Sequence, residues 1–194
     1  MQLIVGLGNP GPEYERTRHN VGFVAVESLA VAWGLEWRKC YDARYAHGAL
    51  DGHEVYLLEP LTFMNRSGEA VGPFARQHAI TPKNILVVSD EAQLPVGMPR
   101  LSGGGSSGGH HGLESLIAAL GTQEFARLRI GIGQPPLPKD LTGLVLGRWS
   151  EGEWSRITAV LPAVAEACAH LVKGEVVAAD NALTGFINRA RERE

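Results

Sequence analysis

Cysteine is scarce: Cys40 and Cys168 are the only two in 194 residues, and no C-x-x-C pair occurs. That excludes a disulfide scaffold and a cysteine-built zinc site. No apolar run approaches the ~18 residues of a membrane span, so no membrane association is expected. The first residues, Gln2-Leu3-Ile4-Val5, read as a strand and lack the basic and apolar regions of a leader. Free thiols and no leader predict a cytoplasmic protein. Excess positive charge is also missing. Lys and Arg number 18 against 21 Asp and Glu, a net charge of -3. A global basic field for nucleic acid is therefore excluded, and only a local basic patch stays open. Two catalytic signatures are absent as well. There is no Gly-Lys-Ser/Thr after the glycine-rich stretch and no H-E-x-x-H, and the G-x-S-x-G spacing occurs only inside the glycine-rich run, at Gly104–Gly108 and Gly105–Gly109, with no nucleophile-elbow context.

What the chain has in excess is glycine, 24 residues, much of it concentrated. Leu3-Ile4-Val5 ends in Gly6-Leu7-Gly8-Asn9-Pro10-Gly11-Pro12, where two prolines forbid a regular helix. Apolar residues at helical spacing predict a helix from Val21 to Trp33, stopped by Gly34. Tyr45–Leu50 and Glu54–Leu58 read as strands joined by Asp51-Gly52, a type I′ hairpin signal. A helix follows from Ser67 to Ala79, and Asn84–Val88 reads as a strand buried on both faces. The stretch 103–112 precedes Leu113, Leu116, Ile117 and Leu120, so it feeds a helix N-terminus. Phe125–Gly133 and Leu141–Leu146 read as two more strands. Ser150 and Glu153 form a capping box for a long helix that Pro162 should kink, and a last helix spans Val176–Arg189 before the charged tail. The order β-α-β-β-α-β-β-α-β-β-α-α predicts an α/β fold, one domain over residues 1–194, with a mixed sheet flanked by helices.

Gly6-x-Gly8-x-x-Gly11 after a strand matches the dinucleotide fingerprint in form. Pro10 and Pro12 stand where a helix should present N–H groups to a pyrophosphate. The acidic residue about 20 positions on, Glu27, falls inside a helix, and the next strands form a hairpin. A nicotinamide or flavin cofactor is therefore not expected. His110-His111 starts a helix with its two rings pointing apart and without partners at ligand spacing, so no metal is expected either. More telling is a convergence. Asn9, Asn65 and Asp90 each come shortly after an inferred strand, and open α/β sheets bind ligands beyond the carboxyl ends of their strands. His19 stands between the first loop and the first helix. One imidazole, one carboxylate and two amides at one rim suit activation of water: the imidazole as base, the carboxylate as its orienter, the amides on a carbonyl or oxyanion.

Five ordered segments then carry a likeness to a known family: Gly6–Gly11 with Tyr14 and Thr17-Arg18-His19-Asn20; Pro60–Gly68; Asp90-Glu91 with Leu94-Pro95-Val96-Gly97; Gly108-Gly109-His110-His111-Gly112-Leu113; and Phe125–Gly133. They resemble the bacterial peptidyl-tRNA hydrolases. The resemblance implies a monomeric, metal-independent esterase with no cofactor, acting on peptidyl-tRNA. It implies His19 as proton acceptor and Asp90 as the carboxylate that stabilises it. Asn9 would distinguish blocked from free aminoacyl groups, Tyr14, Phe63 and Asn65 would touch substrate, and Arg129 would hold tRNA phosphate. Two positions depart from the family pattern. His111 replaces an Asn, which would weaken substrate binding once charged, below about pH 6.5. Ser102 stands where a Lys is expected, leaving Arg100 as its substitute. The alternative reading is an RNA-binding module of the same fold with impaired catalysis.

Overall fold

A computed structural model of the chain describes residues 2–133 and 136–192. Seven strands form one mixed sheet in the order β2-β3-β4-β1-β5-β7-β6. At its centre are β1 (Leu3–Gly6), β4 (His53–Pro60), β5 (Ile85–Pro95) and β7 (Ala126–Gly133), all parallel. The edges are antiparallel. β2 (Trp37–Cys40) and β3 (Ala43–Leu50) extend one side, and β6 (Pro99–Ser102) closes the other.

The central strands are apolar on successive residues because both faces are covered. Ile4, Leu86 and Val88 pack with α1 (Val21–Trp33), α5 (Glu151–Val172) and α6 (Val176–Arg191). Leu3, Val5, Ile85 and Val87 face the other way, against α2 (Ser67–Gln77) and α3 (His111–Leu120). By length and mean hydropathy, 1.2, α5 is the one helix among the described residues that could cross a membrane. Its Ile157, Val160, Val164, Ala167 and Leu171 are instead buried in the core.

The hairpin forms as its signal implies: Leu50 pairs with His53, and Asp51 and Gly52 both take positive φ, 50° and 81°. The expected strand at Leu141–Leu146 is a helix, α4. Both neighbours of β7 are already taken, by β5 and β6, and Asp140 caps the segment by accepting from Gly143 N at 3.1 Å. A six-residue apolar run carries too little periodicity to decide between the two.

Two glycines, Gly6 at the end of β1 and Gly22 in α1, serve packing. A Cβ on Gly6 would lie 2.4 Å from the Gly22 carbonyl oxygen, and one on Gly22 2.5 Å from Leu7 N and from the Val88 carbonyl oxygen. The first turn of α1 thus rests on the ends of β1 and β5, which carries the short 3-10 turn Arg18–Asn20 to the rim beside β5.

Near the same rim, Glu59 is fully buried and pairs with Arg44, whose guanidinium also meets Glu27 and lies 4.7 Å from the Trp37 ring centroid. Burial pushes the Glu59 carboxyl up to about 7, against the pull of Arg44. The folded chain therefore keeps a proton that the unfolded chain releases near pH 4.3. This contribution to stability is full below that pH and lost as pH rises through about 7. Between pH 5.5 and 8.5 the wild type should lose about 2 kcal/mol that the Glu59→Gln variant keeps, read from urea midpoints at both pH values.

Candidate active site

Asp90 lies inside β5 rather than after it, because that strand runs on for 11 residues. Its side chain is 4% exposed, and two histidines converge on one of its oxygens. His19 Nδ1 sits 2.8 Å from Asp90 Oδ1 and His110 Nε2 3.0 Å from the same atom, with the two rings 5.1 Å apart. Burial alone would raise the Asp90 carboxyl. The charge and N–H bonds of His110, then of His19, hold it well below the usual carboxylate range.

The tautomers follow from the partners. His110 caps α3: its Nδ1 accepts from Gly112 N at 3.1 Å and Leu113 N at 3.3 Å. A bare Nδ1 puts the proton on Nε2, which donates to Asp90. Both nitrogens of His110 are thereby occupied. Burial pushes the His110 pKa down, and the Asp90 carboxylate more than reverses this. His19 donates Nδ1–H to Asp90, so its Nε2 carries the free lone pair. That is the arrangement of a general base oriented by a carboxylate. The ligand atoms of His19, Asp90 and His110 lie within 4.8 Å of one another, close enough for a cation by distance. With Nε2 protonated, however, His110 offers such an ion no lone pair.

His19 and Asp90 line a cleft of about 150 Å³ with Ser107, Gly108, Gly109, His111, Arg129 and Leu141. Four of the sequence-nominated residues, His19, Asp90, His111 and Arg129, thus meet in one cleft. His111 turns outward: its side chain is 72% exposed, with Nδ1 3.1 Å from Glu114 Oε2. Arg129 is turned partly to Glu91, its Nε 3.7 Å from Oε2. The other four do not line it: Asn9 faces a groove with Pro10 and Pro12, and Asn65 one between α2 and α3. Asn9 is buried, and its Oδ1 accepts from Met64 N at 2.8 Å, which fixes the amide orientation and leaves Nδ2 without a partner among the described residues. Tyr14 meets Phe63 edge to face at 6.5 Å, and Phe63 is half exposed. Asn65 is exposed, on the turn before α2.

Two residues escaped the sequence reading. His110 is one. Asn20 is the other: it donates Nδ2–H to the Asn9 carbonyl and accepts from Asn9 N, both at 2.9 Å, clamping the loop that bears Asn9 to the turn that bears His19. Both stood in quoted motifs, yet neither spacing nor residue type gave them a role. Neither cysteine competes as a nucleophile. Cys168 is wholly buried, which pushes its thiol up to about 12. A larger apolar cleft, about 490 Å³, lies between α5, α6 and the β5–β6 turn, away from all of these groups.

The sequence model of the peptidyl-tRNA hydrolase family matches residues 3–192. The chain belongs to that family. It is 46% identical over 186 residues to the peptidyl-tRNA hydrolase of Marinobacter nauticus, covering 95% of each chain. It is 45% identical over 171 residues to that of Synechocystis, covering 87% of this chain and 88% of the relative. The crystal structure of peptidyl-tRNA hydrolase from Acinetobacter baumannii superposes with a TM-score of 0.89 at 40% identity, over 94% of both chains. The mixed sheet with flanking helices is thus the family's fold.

Proposed function

We propose that this chain hydrolyses the ester between a peptide and the 3′-terminal ribose of tRNA, with His19 as the base. The observation that carries the chemistry is the His19–Asp90 hydrogen bond with Nε2 left bare. His19 Nε2 takes a proton from water as the oxygen attacks the ester carbonyl carbon. Asp90 balances the imidazolium that forms. Collapse of the tetrahedral intermediate expels the ribose oxygen, which takes the proton back. The peptide acid gives its proton to solvent, so the products are a peptide carboxylate and free tRNA, and His19 is regenerated. No cofactor or metal enters the scheme.

Asn9 Nδ2 donates to the carbonyl of the residue preceding the ester, a group a free aminoacyl-tRNA lacks. In support, Met64 N fixes the direction of that amide. Asn65, Tyr14 and Phe63 hold the peptide along the same rim, and His111 takes part at the cleft mouth. Arg129 holds tRNA phosphate, helped by Arg100, which stands opposite it across β6 and β7 and is exposed. Binding rests on phosphate and is therefore salt-sensitive. The reading includes a single domain, supported by the one continuous sheet, and a monomer, supported by a site complete within one chain. It places the protein in the cytoplasm and off the membrane, which the two free thiols and the packing of α5 support. No observation favours the impaired RNA-binding module.

The test is release of peptide from N-acetylaminoacyl-tRNA beside free aminoacyl-tRNA, with and without chelator. Release from the blocked substrate alone, unchanged by chelator, is expected. Salt-sensitive tRNA binding without any release would overturn the reading in favour of the binding module.

A further inference from the structure

Arg127, on β7, is the largest side chain in the described residues with no exposure at all. Arginine is almost never buried in this way without a carboxylate beside it. Here no ion pair forms among the described residues. Nη1 donates to the Ser106 carbonyl at 2.5 Å, while Nη2 donates to the Gly105 carbonyl and, at 3.4 Å, to the Gln123 carbonyl. The group lies 4.7 Å from the Phe125 ring centroid, and Nε has no partner. Burial and then the charge of Arg129 push its pKa down. A buried cation held by carbonyl dipoles and a ring face, with no ion pair among the described residues, is a burden on stability, so what it holds is informative.

It holds the glycine loop. Residues 103, 104, 105, 108 and 109 are glycine, and Gly105, Gly108 and Gly109 take positive φ. Little else ties this segment. Gly105 N reaches the Gln123 carbonyl at 3.4 Å, Gly109 N the Ser107 hydroxyl at 3.1 Å, His110 N the Ser107 carbonyl at 3.1 Å, and the Ser107 hydroxyl donates to Glu114 Oε1 on α3 at 3.2 Å. A stretch of this composition samples many conformations unless it is fastened. Its far end, Ser107–His111, lines the cleft of His19, and His110 reaches Asp90 from it.

We infer that Arg127 is a positioning residue, whose planar fork grips the Gly105 and Ser106 carbonyls and thereby sets the loop that walls the cleft and aims His110 at Asp90. Shape matters here as well as charge. Lysine keeps the charge as a single point and cannot span two adjacent carbonyls with a rigid fork. The kinetic half of this inference rests on the proposed function, and the exchange half does not.

The test compares Arg127→Lys and Arg127→Met with the wild type in the full chain, each well below its melting midpoint. In both variants amide hydrogen exchange over residues 105–110 should quicken by about tenfold or more, while amides of α1 keep their rates. KM for N-acetylaminoacyl-tRNA should rise by about tenfold, with a smaller fall in kcat, because the loop wall contributes to binding. A purely structural role would lower the melting midpoint and leave both constants of the folded protein unchanged. Unchanged exchange over 105–110, or wild-type KM in Arg127→Lys, overturns the inference. If Arg127→Met fails to fold, Arg127→Lys alone decides. If the wild type releases no peptide, the proposed function falls and the exchange rates still decide whether Arg127 sets the loop.

Discussion

Replacing His19 with Gln should lower kcat by about 10³-fold and leave KM within about threefold. That corresponds to roughly 4 kcal/mol of transition-state stabilisation. The expectation follows from which nitrogens are free. Among the imidazoles of the cleft, His110 has both nitrogens committed, Nδ1 to the cap of α3 and Nε2–H to Asp90. His111 points outward to Glu114. Among these imidazoles only His19 joins an Nδ1 bonded to a buried carboxylate with a bare Nε2 at the cleft. Gln can still donate to Asp90, so the buried carboxylate keeps a partner and the fold keeps its anchor, while the basic nitrogen is gone. Single-turnover release from N-acetylaminoacyl-tRNA at pH 7.5, with tRNA binding measured alongside, separates the two effects. Activity within tenfold of wild type would move the base elsewhere.

The sheet was legible where both faces are buried or a turn has one solution. Leu3–Gly6 and Ile85–Val88 announce themselves by unbroken apolar residues, and Asp51-Gly52 admits a two-residue turn with positive φ. β2 was missed because Trp37–Cys40 is an edge strand of mixed exposure, with Arg38 and Lys39 turned to solvent. Leu141–Leu146 was misread because its state depends on which sheet edges remain open, a tertiary fact. The site divides in the same way. His19 and Asp90 could be nominated because a base and its carboxylate are recognisable residue types, one just after the first loop and the other just past an inferred strand. His110 could not. Its contribution rests on a cap and a tautomer, which exist only once α3 begins at His111 and packs beside β5. Arg127 could not be singled out for a related reason, since only the folded loop shows that carbonyls stand where a carboxylate would be expected.

Asp90→Asn isolates the charge that both histidines share. Asn is nearly the same shape, and its Oδ1 can accept the two N–H bonds that now converge on Asp90 Oδ1 at 2.8 and 3.0 Å. What disappears is the negative charge that balances the imidazolium formed when His19 takes a proton. In the transition state the loss should reduce kcat by about 10²-fold. Stability should change with pH in a matching way. The folded chain holds the Asp90 carboxyl well below its usual range. Its contribution is therefore full above about pH 4, the unfolded value, and fades as pH falls through the folded one. Urea midpoints at pH 7 and pH 3 should converge in Asp90→Asn relative to the wild type. A variant with wild-type kcat would reduce Asp90 to an anchor for two rings, and catalysis would then need only the bare Nε2 of His19.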